Sequence, residues 1–357
     1  MTRFAIRKFA AGDEDEINRL YRQITGRSRS VSQYNWQWKL SPSGPGDVWL
    51  ITDSHEGGRI IGHHGVMPIR FTNGADDLLF GKIENTMVLP SYRDKIVYPR
   101  YELRFKLEYE DRYHALFATT GPENAIRVRK AVGYEFPVAW RKCILSTSRL
   151  SCLKFFVSVP QLALNKCLKI GNNNKGRTRR LAISDGLLSP ELASKHEFFD
   201  NFWNIARRNH EISPRRDRAD LQWRFWDNQY KEYFTFILDD QECKGYAIIS
   251  SDHDLVRVED YAVEHPEPRA YEILFKRLAD VLRKNNISFY GLSITNDSNI
   301  QIALAKVLKK DLLEGWPFKN YLEKETAHMP RLITKDGKNI GLPVTGWHIT
   351  GIIFEGR

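Results

Sequence analysis

Six landmarks recur in the same order along this chain of 357 residues. In the first copy, Phe4-Ala-Ile-Arg reads as a strand. Gly12-Asp-Glu-Asp-Glu then opens a helix carrying Ile17, Leu20, Tyr21 and Ile24, with its acids in the first turn, where the helix dipole favours them. In the second copy, Leu181-Ala-Ile-Ser reads as the same strand. Ser189-Pro-Glu, a cap followed by proline and an acid, enters a helix with Leu192, Phe198, Phe199, Phe202 and Trp203. An aromatic stretch follows in each: Tyr34-Asn-Trp36-Gln-Trp38 before a strand at 48–52, and Leu221-Gln-Trp223-Arg-Phe225-Trp226 before a strand at 233–238. Gly62-His-His-Gly-Val then matches Gly245-Tyr-Ala-Ile-Ile. The strand that begins at Glu84 and stops at Pro90 matches the one from Glu259 to Pro266. Thr120-Gly-Pro-Glu-Asn matches the segment 295–300. The offset stays between about 175 and 187 residues. Chance would align one or two such features, so duplication of one fold is expected, with two unrelated α/β domains that share common elements as the other reading. Each copy reads strand, helix, helix, three strands, helix, strand, helix, strand, which predicts a mixed, mostly antiparallel sheet flanked by helices. The expected architecture is α/β (α+β): a domain over 1–140, a connecting segment over 141–177 and a second domain over 178–357. Trp223, Phe225 and Trp226 stand at helical spacing and are expected in a core.

The rest of the sequence narrows the class of protein. Hydrophobic residues make up 42% of the chain, enough to bury real cores. No run approaches the roughly 20 apolar residues that span a bilayer. Acids arrive before any long apolar run at the N-terminus, so no secretory signal is expected. The four cysteines form no Cys-x-x-Cys pair, which predicts free thiols and a reducing, cytoplasmic setting. Net charge is +10, and it is one local feature: residues 141–180 carry ten Lys or Arg and no acid. That basic, partly apolar stretch is expected to bridge the domains with a solvated face, and peripheral membrane contact is its second reading. Its aromatics are too few for a stacking platform, so nucleic acid is not expected. His63 and His64 alternate on a strand, so their rings face opposite sides and do not chelate one metal; no metal site is predicted. No Gly-x-Ser-x-Gly elbow or Walker-type loop is present.

Two segments carry a family likeness. Asn85-Thr-Met-Val-Leu-Pro-Ser-Tyr-Arg-Asp-Lys-Ile-Val-Tyr-Pro99 resembles the fourth strand, pyrophosphate loop and third helix of the GNAT superfamily of N-acetyltransferases. Thr119-Thr-Gly-Pro-Glu-Asn-Ala-Ile-Arg-Val-Arg-Lys-Ala-Val-Gly-Tyr134 resembles its fifth strand and fourth helix. The likeness covers the first 140 residues directly, and residues 178–330 through the repeat. It implies acetyl-CoA or another acyl-CoA as cofactor, held by an anion nest of backbone amides between strand and helix. Met87, Val88 and Leu89, then Arg93, Asp94, Lys95, Ile96, Val97 and Tyr98, occupy the matching positions. Asn124 matches the pantetheine contact, with helix capping as its other reading. The family pattern has small residues where Ile96 and Tyr98 stand, so side chains occupy ground that a phosphate would approach.

The likeness also implies direct acyl transfer by a base and an acid. Glu84 is the base candidate. Period-2 alternation puts it on the face of Thr86 and Val88, and its structural reading is an ion pair with Lys82 or Arg70. Arg129 stands at the family's tyrosine position. A guanidinium does not donate a proton near neutrality, so it is assigned to cofactor charge, and Tyr98 or Tyr134 is the acid candidate. After Pro266 the second copy offers Glu267-Pro-Arg-Ala, without glycine and with an acid, so it is expected to supply packing surface and part of the acceptor cleft rather than a second CoA site. Similar tandem proteins imply a small-molecule or glycan amine as acceptor, such as an amino sugar or polysaccharide precursor. Two alternatives stand beside this: a Fem-like transferase using aminoacyl-tRNA, and a non-catalytic binding relative.

Overall fold

The computed structural model describes residues 3–350 apart from 75, 95–97, 120–122, 138–139, 147–185, 211, 253–254, 288, 296–297, 299–300, 302–322 and 328. The expected strand at 181–184, most of the connecting segment and the loop positions Lys95, Ile96 and Val97 lie outside the described residues.

The first half runs β1 (Phe4–Lys8), α1 (Glu14–Thr25), α2 (Val31–Lys39), β2 (Asp47–Asp53), β3 (Arg59–Asn73), β4 (Asp76–Val88), α3 (Tyr98–Tyr109), β5 (Ala115–Phe117), α4 (Glu123–Ala131) and β6 (Trp140–Ser146). Local chemistry sets these limits. Gly26, at φ 71°, closes α1 in the left-handed conformation that glycine adopts freely. Ser30 and Gln33 form a reciprocal capping box at the start of α2. The second half runs α5 (Pro190–Lys195), α6 (Phe198–Ala206), β7 (Ser213–Pro214), α7 (Arg218–Leu221), a π-helical turn Gln222–Trp226, β8 (Tyr233–Asp239), β9 (Lys244–Asp252), β10 (Leu255–Val263), α8 (Pro268–Lys284), β11 (Phe289–Thr295), β12 (Glu323–Ala327), β13 (Arg331–Ile333) and α9 (Lys335–Asn339). Two tandem α/β units result, each a mostly antiparallel sheet with helices on it. Among the described residues, no helix is long and apolar enough to cross a membrane.

The sheets exchange strands. The first has order β1-β2-β3-β4-β5-β13, with β7 added to the far end of β3. The second has order β12-β6-β11-β10-β9-β8. Thus β6, from the end of the first half, pairs antiparallel with β11, while β13, near the end of the chain, pairs antiparallel with β5. The sequence reading placed 141–146 in the connecting segment; those residues belong to a sheet strand, and the divisions at 140 and 178 do not follow the sheets. The exchange satisfies an edge strand of each sheet with backbone from the other half.

The Trp landmarks of the repeat meet at the junction. Trp36 and Trp223 stack with ring centroids 5.6 Å apart. Trp36 Nε1 donates to the Trp223 carbonyl at 2.9 Å, and Trp223 Nε1 donates to the Trp36 carbonyl at 3.0 Å. This reciprocity places a local two-fold between equivalent residues, as a duplicated fold packed on itself requires. Trp223, Phe225 and Trp226 are all buried, so the expectation of core aromatics holds. Trp347, beyond β13, packs against Phe71, Phe80 and Phe117 of the first sheet and stitches the halves further.

Candidate functional site

In the first sheet β4 outruns its parallel neighbour β5. β4 and β5 pair only over Phe80–Lys82 and Ala115–Phe117, yet β4 continues to Val88. Beyond Lys82, no strand among the described residues lies beside the edge of β4 that faced β5. A gap flanked by backbone amides and carbonyls can take an extended ligand with amides of its own, by the same hydrogen bonds that add a strand to a sheet.

A β-bulge lies beside this gap. Gly65 pairs with Glu84, but His63 pairs with Met87, so β4 spends an extra residue there. Asn85 absorbs it at φ 51°, a conformation that asparagine tolerates better than most residues. The bulge overturns the alternation read from the sequence. Glu84 points toward α2, where Gln37 Nε2 donates to its Oε2 at 2.8 Å. Thr86 points the other way, to His64 and Arg129. The expected shared face of Glu84 and Thr86 is therefore wrong, because one inserted residue shifts every following side chain to the opposite face. The two histidines do face opposite sides: His63 meets Trp38 of α2, and His64 meets Phe105 of α3.

On the α2 face Glu84 is buried and paired with the buried ammonium of Lys82. Gln37 Oε1 in turn accepts from Arg29 Nη1 at 3.2 Å. Gly65, opposite Glu84, leaves room for the Trp38 ring, which a side chain there would strike. The base candidate thus stands in a dry, hydrogen-bonded setting next to its predicted ion-pair partner.

On the α3 face a closed polar ring is buried between α3 and α4. Glu102 accepts from Tyr98 Oη at 2.8 Å and faces Arg129 Nε at 3.4 Å and His64 Nε2 at 3.3 Å. Arg129 Nη2 donates to Thr86 Oγ1 at 3.3 Å, and Thr86 Oγ1 lies 2.7 Å from His64 Nδ1. The threonine proton then goes to Nδ1, and the imidazole proton sits on Nε2, toward Glu102. Burial alone would raise the Glu102 pKa; the His64 ring, Arg129 and the Tyr98 hydroxyl bring it down to about 2. Burial lowers the His64 pKa more than Glu102 raises it, so the imidazole is neutral. Burial raises the pKa of Tyr98 and Tyr134, so both keep their protons. Tyr98 spends its hydroxyl on Glu102, whereas the buried Tyr134 Oη has no hydrogen-bond partner among the described residues.

The structure thus brings Tyr98, Tyr134 and Arg129 together and sets Glu84 on the far side of the sheet. Arg129 is neutralised by Glu102 rather than held out to solvent. Glu102, His64 and Thr86 were missed by the sequence reading. Glu102 shares the buried face of α3 with Tyr101, Phe105 and Tyr109, and an acid on an apolar stripe was the available signal. Of the loop residues, Met87 and Leu89 are buried, Val88 is half-buried, and Arg93 and Asp94 are exposed. Arg93 Nε donates to the Val88 carbonyl at 3.1 Å. Tyr98 turns inward to Glu102. Asn124 Oδ1 accepts from Arg127 at 2.8 Å on the exposed face of α4.

These histidines make a pH prediction. His64, His210 and His348 are all buried with lowered pKa; burial takes His210 to about 3 and brings His348 well below the usual imidazole range. A histidine that is neutral when folded gains a proton on unfolding below about pH 6.5, so it stabilises the fold above that value and the stability is lost as pH falls. Stability should therefore fall as pH drops below about 6, by up to about 1.4 kcal/mol per pH unit for His210 until its folded value of about 3 is approached. Urea unfolding at pH 7 and pH 5 measures this, and equal midpoints would rule it out.

Strand order, the short parallel β4–β5 pair and the bulge give the chain a fold like that of solved N-acyltransferases. No family model and no curated protein matches its sequence. Solved structures do match. A conserved protein of Enterococcus faecalis V583, described as a probable N-acyltransferase, superposes at TM-score 0.60 with 12% identity, covering 93% of this chain and 72% of that one. A GCN5-related N-acetyltransferase from Anabaena variabilis superposes at 0.59 with 14% identity, covering 93% and 73%. Saccharomyces cerevisiae N-myristoyltransferase, solved with bound myristoyl-CoA and inhibitors, superposes at 0.53 with 12% identity, covering 93% and 80%. At such identities the agreement is one of fold.

Proposed function

We propose that the chain is an acyl-CoA-dependent N-acyltransferase acting on an amine, through the gap between β4 and β5. The observation that carries this reading is the run of β4 beyond its pairing with β5, with the bulge at Asn85 beside it. Solved neighbours of the same fold include N-acetyltransferases and an enzyme holding myristoyl-CoA, which supports acetyl-CoA or a longer acyl-CoA as the acyl donor. The residues present fit such a donor: the edge of β4 beyond Lys82 suits the amides of a pantetheine arm, and Met87, Val88, Leu89, Arg93 and Asp94 lead from that edge toward α3. Bound acyl-CoA supplies an acyl group activated as a thioester.

The chain's own groups then divide the proton work across the sheet. Glu84, paired with Lys82 and oriented by Gln37, takes the proton that the acceptor amine loses as its nitrogen bonds to the acyl carbon. Tyr134, whose hydroxyl is uncommitted, gives its proton to the sulfur as the carbon–sulfur bond breaks. The two residues lie on opposite faces, and the gap joins those faces. The second unit, stacked on α2 through Trp36 and Trp223, supplies the other wall of the acceptor cleft. An amino sugar or another small amine is the acceptor class proposed.

Titration calorimetry with acetyl-CoA and with myristoyl-CoA tests the reading. Saturable heat from one of them, together with a rise in melting temperature, is the expected result. No heat and no thermal shift at millimolar ligand overturns it.

A further inference from the structure

A second charged feature lies at the corner where α1 turns into α2. A concavity of about 390 Å³ opens there, and Arg19, Arg22 and Arg29 contribute to its wall. Asp15 is the one acid in that lining, so the wall carries two net positive charges. Other carboxylates nearby are committed elsewhere: Glu14 to Lys39 at 2.8 Å, and Glu16 to the amide of Ile60 at 2.7 Å. Arg19 and Arg22 lie one turn apart on an exposed face of α1 and form no ion pair among the described residues.

Arg29 gives the corner a built character. It is 5% exposed, held between the rings of Tyr21 and Tyr34, and its Nε donates to Asn18 at 2.8 Å. A buried guanidinium fixed in this way presents its charge without further loss of freedom. The N-terminus of the nine-residue α2 borders the same hollow. There Ser30 Oγ takes the amide of Gln33, and Gln33 Oε1 takes the amide of Ser30. The amides of Val31 and Ser32, first in the helix, are left for a ligand at the positive end of its dipole.

We infer that this corner is a binding site for a phosphoryl group. Guanidinium forks and helix amides together match a tetrahedral dianion better than a planar carboxylate or a neutral sugar. Through Arg29 and Gln37 the corner is also joined by hydrogen bonds to Glu84. The inference rests on the geometry of the corner and does not require the acyl-CoA reading. The same chemistry is offered by a phosphorylated small molecule and by an anionic lipid headgroup.

Calorimetry of the full chain with inorganic phosphate provides the test, beside sedimentation with phosphatidylcholine vesicles that contain phosphatidic acid. Arg19→Gln/Arg22→Gln is expected to weaken phosphate binding by about tenfold or more, since two charge-assisted contacts are lost. Arg27→Gln, exposed but outside the hollow, should leave it within about twofold. Vesicle binding that the double variant abolishes, without binding of free phosphate, assigns the site to a headgroup. The proposal is overturned if neither probe binds, or if Arg27→Gln weakens binding as much as the double variant, because net charge alone would then be responsible. The double variant should bind acetyl-CoA as the native chain does, so either reading can fail without the other.

Discussion

Glu102→Leu is expected to lower the free energy of unfolding by about 3–5 kcal/mol, the usual cost of removing one partner from a buried ion pair. Glu102 is fully buried and is the carboxylate that faces Arg129, which is itself 2% exposed. Without it, the guanidinium keeps only Thr86 as a hydrogen-bond partner among the described residues, and Tyr98 loses its acceptor. Arg129→Met added to Glu102→Leu should recover most of the loss, because removing both charges also removes their desolvation cost. Urea unfolding of the native chain, both single variants and the double variant closes the cycle. A cost below about 1 kcal/mol for Glu102→Leu would show that the carboxylate is not what neutralises the ring. Glu102, held at about pKa 2, also adds stability above about pH 4.5 that is lost as pH falls toward 2, below the range in which the histidines act.

Glu84→Gln should produce two losses at once. As the proposed base it should lower turnover by about 10² to 10⁴-fold, the span of general-base contributions. As the partner of the buried Lys82 it should also lower stability by about 3–5 kcal/mol, since the substitution breaks a buried pair. Loss of activity in the single variant therefore does not by itself identify a base. Lys82→Met/Glu84→Gln separates the effects. It is expected to regain most of the stability and none of the turnover, measured as thiol release with a panel of amines. A folded double variant that turns over at the native rate would remove Glu84 from the chemistry. Acetyl-CoA affinity should hardly change in either variant, because Glu84 is proposed to act on the acceptor amine and not to hold the cofactor.

The two roles of Glu84 show how far the sequence alone reached. It supplied both alternatives, base or partner of Lys82, and the structure shows the ion pair. For the acid, the sequence supplied Tyr98 and Tyr134 together. Only the packed structure distinguishes them, because the hydroxyl of Tyr98 is consumed by Glu102, and nothing in the local sequence of α4 announces a carboxylate from α3.

Among the described residues, the order of elements, the aromatic cores and the mostly antiparallel character of both sheets were written in the sequence. They follow from local periodicity, caps and turn residues, and each copy repeats them independently. Three features were decided only by tertiary structure. The exchange of β6 and β13 joins strands far apart along the chain, and period-2 patterns do not say which edge a strand will meet. The bulge at Asn85 reverses the faces of Glu84 and Thr86, and a single extra residue leaves no trace in a hydrophobic pattern. The charges of Glu102 and Arg129 are balanced across two helices that approach only once the sheet has formed. Short-range order is encoded where it occurs, whereas pairing and desolvation belong to groups that folding alone brings within reach.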